Sequence, residues 1–213
     1  MIRTPRRPEI DEHTMKLIVG VIALSLANLT ALFAGDSLSS ISASYYHTGW
    51  SQSIFIGFLF ATAAFLLAYN GNSTPEMIAS KVAALAALGV ALFPCGCDGK
   101  PELVRHVHAG SAALMFIVLT YFCYCFFRRA WAKNHSRAKA RAFIYGSCGI
   151  VMILALLGLV LDALAGQPLT RIDPWFIYHA EYASLTAFGV SWLTASRMLP
   201  FITREDERIS VAP

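Results

Sequence analysis

Leu17-Ile18-Val19-Gly20-Val21-Ile22-Ala23-Leu24-Ser25-Leu26-Ala27-Asn28-Leu29-Thr30-Ala31-Leu32-Phe33-Ala34-Gly35 carries no charged side chain. Coiled as a helix, the run is long enough to span the hydrocarbon core of a bilayer, where each backbone polar group must be satisfied within the segment itself. No clear small-residue cleavage site follows it, so it is expected to stay as a membrane helix rather than be removed as a secretory leader. The rest of the 213-residue chain repeats this texture: 56% of it is hydrophobic, only 14% is charged, and the mean hydropathy is +0.55. That is too apolar and too charge-poor for a soluble domain of this size.

Outward from the first run, the apolar segments predict an all-α polytopic membrane bundle of six transmembrane helices. They run from about Lys16 to Gly35, Ser51 to Tyr69, Ile78 to Phe93, Glu102 to Phe127, the residues after Arg141 to Leu164, and Trp175 to Leu199. The third is the least apolar and would cross only if Lys81 snorkels to the headgroups. Residues 1–15, with Arg3, Arg6, Arg7, Pro5 and Pro8, read as a basic cytoplasmic lead, 16–199 as the membrane domain, and 200–213 as a charged, disordered cytoplasmic tail. Counting Lys and Arg on the two sides places 14 of the 17 with the termini and the Arg128 to Arg141 loop, and only Lys100, Arg105 and Arg171 opposite. The positive-inside rule therefore puts both termini in the cytoplasm. Basic residues spread between apolar runs in this way mark topology, not a nucleic-acid partner; the partner is the lipid bilayer.

The outer side collects His47, His106, His108 and His179 together with Asp36, Asp98, Glu102, Asp162 and Glu181. Ionisable groups in or beside membrane spans are costly, and imidazoles and carboxylates brought together from separate loops are how metal and acid-base sites are built between helices. His47, in Ser44-Tyr45-Tyr46-His47-Thr48, reads either as a headgroup contact among interfacial tyrosines or as a ligand or base. His106 and His108 project in different directions on a helix, so only one should face inward, and Glu102 is spaced to meet His106 on one face. Asp162 needs a partner, for which Arg171 is the plain structural choice. His179 and Glu181 are either functional or part of a network tying helix ends together. Cys123, Cys125 and Cys148 read as small hydrophobes; Cys95 and Cys97 have a spacing poor for an intramolecular bridge and supply half a metal site at most. No nucleotide-binding loop, H-E-x-x-H or G-x-S-x-G is present.

Ser40-Ile41-Ser42-Ala43-Ser44-Tyr45-Tyr46-His47-Thr48, Ile56-Gly57-Phe58-Leu59-Phe60-Ala61, Phe65-Leu66-Leu67-Ala68-Tyr69, Gly89-Val90-Ala91-Leu92-Phe93-Pro94, His106 with His108, and Phe188-Gly189-Val190-Ser191-Trp192-Leu193 resemble an uncharacterised family of bacterial six-helix membrane proteins. That resemblance implies a bacterial inner membrane and no particular activity. A more distant similarity is to the CREST superfamily of intramembrane metal-dependent hydrolases, which includes alkaline ceramidases and adiponectin-receptor-like proteins. It implies zinc held by His47, His179 and either His106 or His108, the last because Ala183 stands where the superfamily's second late histidine would be. Ser44 matches the serine of the motif, Asp98 or Asp162 its acid, and Glu181 would serve as base. The implied function is a metal-dependent hydrolase of a lipid-like amide or ester, with a zinc-bound water as nucleophile. The alternative is a non-enzymatic membrane subunit or small-ligand sensor whose polar cluster is structural.

Overall fold

The computed structural model describes residues 11–35, 38–97, 99–104 and 106–207. Arg3, Arg6, Arg7, Asp36, Asp98, Arg105 and Arg208 lie outside them. Helix α1 (Glu12–Ala34) begins a turn before its apolar run, because the Asp11 carboxylate accepts hydrogen bonds from the His13 and Thr14 amides. Helix α2 spans Trp50–Ala68. Helix α3 (Thr74–Leu92) also starts earlier than its apolar stretch. Ser73 caps it, Pro75 sits in the first turn, and Glu76 reaches back to the Ser73 hydroxyl and the Asn72 amide, an S-x-x-E capping box.

Helix α4 covers Val107–Ala132 and α5 covers Ser136–Leu164. A short α6 (Pro168–Ile172), absent from the sequence reading, precedes α7 (Phe176–Ala195). Two expected limits are corrected. Helix α4 starts at Val107 rather than Glu102, because His106 takes a left-handed conformation (φ 63°) as its N-cap. Helix α7 stops at Ala195, and Arg197 (φ 58°) turns the chain away before Leu199.

Among the described residues six long helices close a ring in which α1 packs on α2, α2 on α3, α3 on α4, α4 on α5, α5 on α7, and α7 back on α1. Because consecutive long helices are ring neighbours, the arrangement is up-and-down. Helices α1 to α5 are each long and apolar enough to cross a membrane; α7, expected as the sixth span, lacks that apolar composition. Its polar side chains explain the shortfall. Ser184, Ser191 and Thr194 are buried inside the ring, so they add polarity to the helix without meeting lipid.

The ring closes where α1 and α7 meet backbone to backbone. A Cβ on Gly20 would lie 2.9 Å from the Leu193 amide nitrogen and 3.0 Å from the Gly189 carbonyl, and one on Gly189 would lie 3.0 Å from the Gly20 carbonyl. Backbone atoms cannot step aside, so the seam needs glycine on both helices. Below it sits an aromatic knot around the fully buried Trp192, with Tyr69, Phe122, Phe126 and Phe188 centred 5.2 to 5.9 Å away.

Charge gathers at the end where the chain enters α1 and leaves α7. The Arg129 guanidinium bonds both Glu76 oxygens (2.6 and 2.7 Å), joining the start of α3 to the end of α4. Lys81 bonds the Leu67 and Tyr69 carbonyls and Asn70, satisfying the open C-terminal end of α2.

The tail expected to be disordered is docked at this end through residue 207. Arg137 bonds the Thr203 carbonyl, Arg141 the Ile202 carbonyl, and Glu207 pairs with Lys133 (2.5 Å) and Arg141 (2.9 Å). The sequence showed the tail's charge but not these partners. Partial burial works to raise the Glu207 pKa, but hydrogen bonds and charge from Lys133 and Arg141 outweigh it and hold it down to about 2. A carboxyl depressed in this way strengthens docking above its ordinary value of 4.5, and the contribution is lost as pH falls through about 2.

Two outcomes follow from these contacts. Gly189→Val should lower the thermal midpoint of detergent-purified protein, with an overpacking cost of about 1–3 kcal/mol, whereas the same change at Gly57, where a Cβ meets open space, should not; equal midpoints would contradict the close seam. At neutral pH Glu207→Gln should make Arg204 a faster trypsin site than in the parent chain, and an unchanged cleavage rate would show that the tail is not held by this carboxylate.

Candidate functional site

The end of the ring opposite the charged one is built on the serine-rich loop between α1 and α2. Its 3-10 turn, Ser42–Tyr46, has free backbone donors at its start, and Glu181 of α7 accepts from them: Ile41 amide 2.6 Å, Ser42 amide 3.2 Å, Ser42 hydroxyl 2.9 Å. A carboxylate that takes three donors at the start of a helical turn is satisfied without a cation. Glu181 thus ties the end of α7 to the α1–α2 loop. Behind it Ser44 is wholly buried, and its hydroxyl has no hydrogen-bond partner among the described residues. The turn is fixed on its other side by the Tyr46 hydroxyl, which bonds the Cys95 carbonyl at 2.7 Å.

Cys95 and Cys97 form a disulfide, contrary to the expectation from their spacing. Their Cα atoms are 5.2 Å apart, inside the range a bridge requires. Gly96 between them packs closely on Glu102: a Cβ there would lie 2.9 Å from Glu102 Cγ, so that side chain would have to shift.

Of the paired histidines, His108 faces in and His106 is exposed. His108 Nδ1 lies 2.7 Å from the Phe93 carbonyl. A carbonyl only accepts, so that nitrogen carries the proton and, in the neutral ring, Nε2 is left with a lone pair. Glu102 does not meet the His106 ring as expected from an i, i+4 spacing. Neither residue is helical there, and the carboxylate instead accepts the His106 amide at 2.7 Å.

Asp162 is buried and bonds the Leu169 amide (2.6 Å), the Thr170 amide and the Thr170 hydroxyl (2.5 Å), thereby capping α6. Arg171, its expected partner, forms no ion pair with it among the described residues. His179 is 64% exposed and stands 3.4 Å from Asp173. His47 is half-buried, its amide bonded to the Ser44 carbonyl.

These positions bear on the zinc set of His47, His106 or His108, and His179. His108 points inward, His106 caps α4 at the surface, and His179 faces Asp173. Among the described residues no three His, Cys, Asp or Glu side chains converge in a way that would hold a metal ion. The residues as placed do not fit a three-ligand zinc centre.

What the loops and helix ends do enclose is a cavity of about 480 Å³. Its polar rim comes from Ser40, Ser42, Glu102, His108, Gln167, Thr170 and Glu181, with the Cys95–Cys97 bridge beside them; its apolar wall comes from Phe116 on α4, Leu156, Leu159 and Val160 on α5, and Ile177 on α7. Among the described residues no Lys or Arg lines it. Of the residues singled out from sequence, Glu102, His108 and Glu181 reach this cavity. Ser40, Ser42, Gln167 and Thr170 were missed; the available signal was an acid in α7 with no cation near it in sequence and a serine-rich loop rich in unspent donors.

Neither a protein-family model, a curated protein nor a solved structure matches the chain.

If Glu181 is an anchor, Glu181→Gln, whose carbonyl oxygen still accepts from the amides, should keep most of the stability. Glu181→Leu should lose about 1–3 kcal/mol by stranding the Ile41 and Ser42 donors. Equal loss of thermal midpoint in the two variants would contradict the anchor.

Proposed function

We propose that this is a six-span integral membrane protein that binds a single-chain amphiphile in the cavity lined by His108 and Glu181, acting as a small-ligand sensor or carrier subunit rather than as a metallohydrolase. In this reading α7 crosses beside α1 and α5 as the sixth span, and both termini are cytoplasmic. Three observations support that orientation: the bias of Lys and Arg to one side, the gathering of cations at one end, and a disulfide at the other, where an oxidising compartment would preserve it. The inner membrane of a bacterium is the setting implied by the resemblance noted above.

The cavity itself carries the proposal. Its volume of about 480 Å³ falls in the range that encloses one small ligand, and it joins a long apolar wall to a short polar rim. The rim selects the head. With carboxylates, serine hydroxyls and the His108 Nε2 lone pair but no cation among the described residues, it offers mainly acceptors, which suits a head bearing hydroxyl, amide or amine donors and repels a phosphate.

Binding of a fluorescent N-acyl ethanolamine to the purified protein in neutral micelles should saturate and be competed by the unlabelled amide but not by phosphatidylglycerol. Ala113→Phe, which fills the cavity, should weaken it by about tenfold or more. Binding untouched by Ala113→Phe would refute the site. Metal analysis of the same preparation should find zinc well below one per chain; stoichiometric zinc lost on His108→Ala or His179→Ala would restore the hydrolase.

A further inference from the structure

At the opposite end of the ring lies a second, smaller chamber of about 100 Å³. We infer that it is an anion site that takes one phosphate group, supplied either by free phosphate or by the headgroup of an anionic lipid. Lys16 of α1, Arg129 of α4 and Lys133 just after it, Arg141 of α5 and Arg197 just after α7 all line it, so five cations from four parts of the ring face one space.

The positive-inside rule accounts for basic residues on exposed loops, not for cations walled into a concavity. The Lys16 and Arg141 side chains are only 7% and 3% exposed. Three carboxylates compensate the five charges: Glu12 on Lys16 (3.1 Å), Glu76 on Arg129 (2.6 Å), and Glu207 shared by Lys133 and Arg141. Among the described residues two positive charges remain. Arg197 is the clearest excess, since its side chain makes no ion pair among the described residues. Uncompensated like charges crowded together out of water are costly unless an anion joins them. The space fixes its size: a volume of a few waters admits a phosphate group but not a nucleoside.

The test uses the full chain in neutral detergent and in nanodiscs, reading the thermal midpoint. Inorganic phosphate should raise the midpoint saturably where chloride at matched ionic strength does not. Arg197→Gln should weaken the effect about tenfold while leaving the phosphate-free midpoint no lower than in the parent chain, since it removes an uncompensated charge, and Arg197→Lys should recover part of it. If free phosphate is inert but phosphatidylglycerol nanodiscs protect over phosphatidylcholine ones in an Arg197-dependent way, the headgroup is the source. Should Arg197→Gln fold poorly, Lys133→Gln replaces it. No protection by either anion, or protection equal in the charge-removing variant, overturns the site. None of these readouts involves the amphiphile cavity, so the two proposals fail separately.

Discussion

A carboxylate on a helix inside a membrane bundle must find donors, and Glu181 finds them in the backbone of another segment. Its bonds to Ile41 and Ser42 pull the α1–α2 loop across the end of the ring and set the 3-10 turn Ser42–Tyr46. From there Tyr46 holds the Cys95 carbonyl and thus the α3–α4 loop. Asp162 does the same service locally by capping α6. Both acids serve to position loops, and the loops in turn roof the cavity between α4, α5 and α7.

The two ends of the ring solve different problems. At the serine-rich end acids are neutralised by amides and hydroxyls, and the enclosed space has an acceptor-rich rim. At the basic end acids are neutralised by guanidinium and ammonium groups, and a positive excess is left over. Between them the Gly20–Gly189 contact and the aromatic knot around Trp192 keep α7 against α1, which is what allows a helix with so many hydroxyl groups to complete the ring.

Much of this was legible in the sequence because membrane spans announce themselves by length and charge exclusion. Five of the expected six helices meet that criterion, α3 among them, and its Lys81 is occupied by the end of α2. The convergence of Glu102, His108 and Glu181 at one end also followed from counting spans. What stayed hidden were contacts between segments distant in the chain. The partner of Glu181 is a backbone 140 residues away, which no local pattern encodes. That only one of His106 and His108 faces inward followed from their spacing; the left-handed turn at His106 and the exposed placement of His179 beside Asp173 did not. The Cys95–Cys97 bridge depends on a loop geometry that spacing alone does not give.

Everything rests on the polar loops before α2 and after α5 sharing one face of the membrane, with the basic chamber on the other. Single cysteines placed at Ser39 and Gln167, in a chain whose own cysteines are replaced, should react with an impermeant maleimide from outside intact cells, while one at Lys133 should react only after permeabilisation. Labelling of Ser39→Cys and Gln167→Cys from opposite faces would contradict the account.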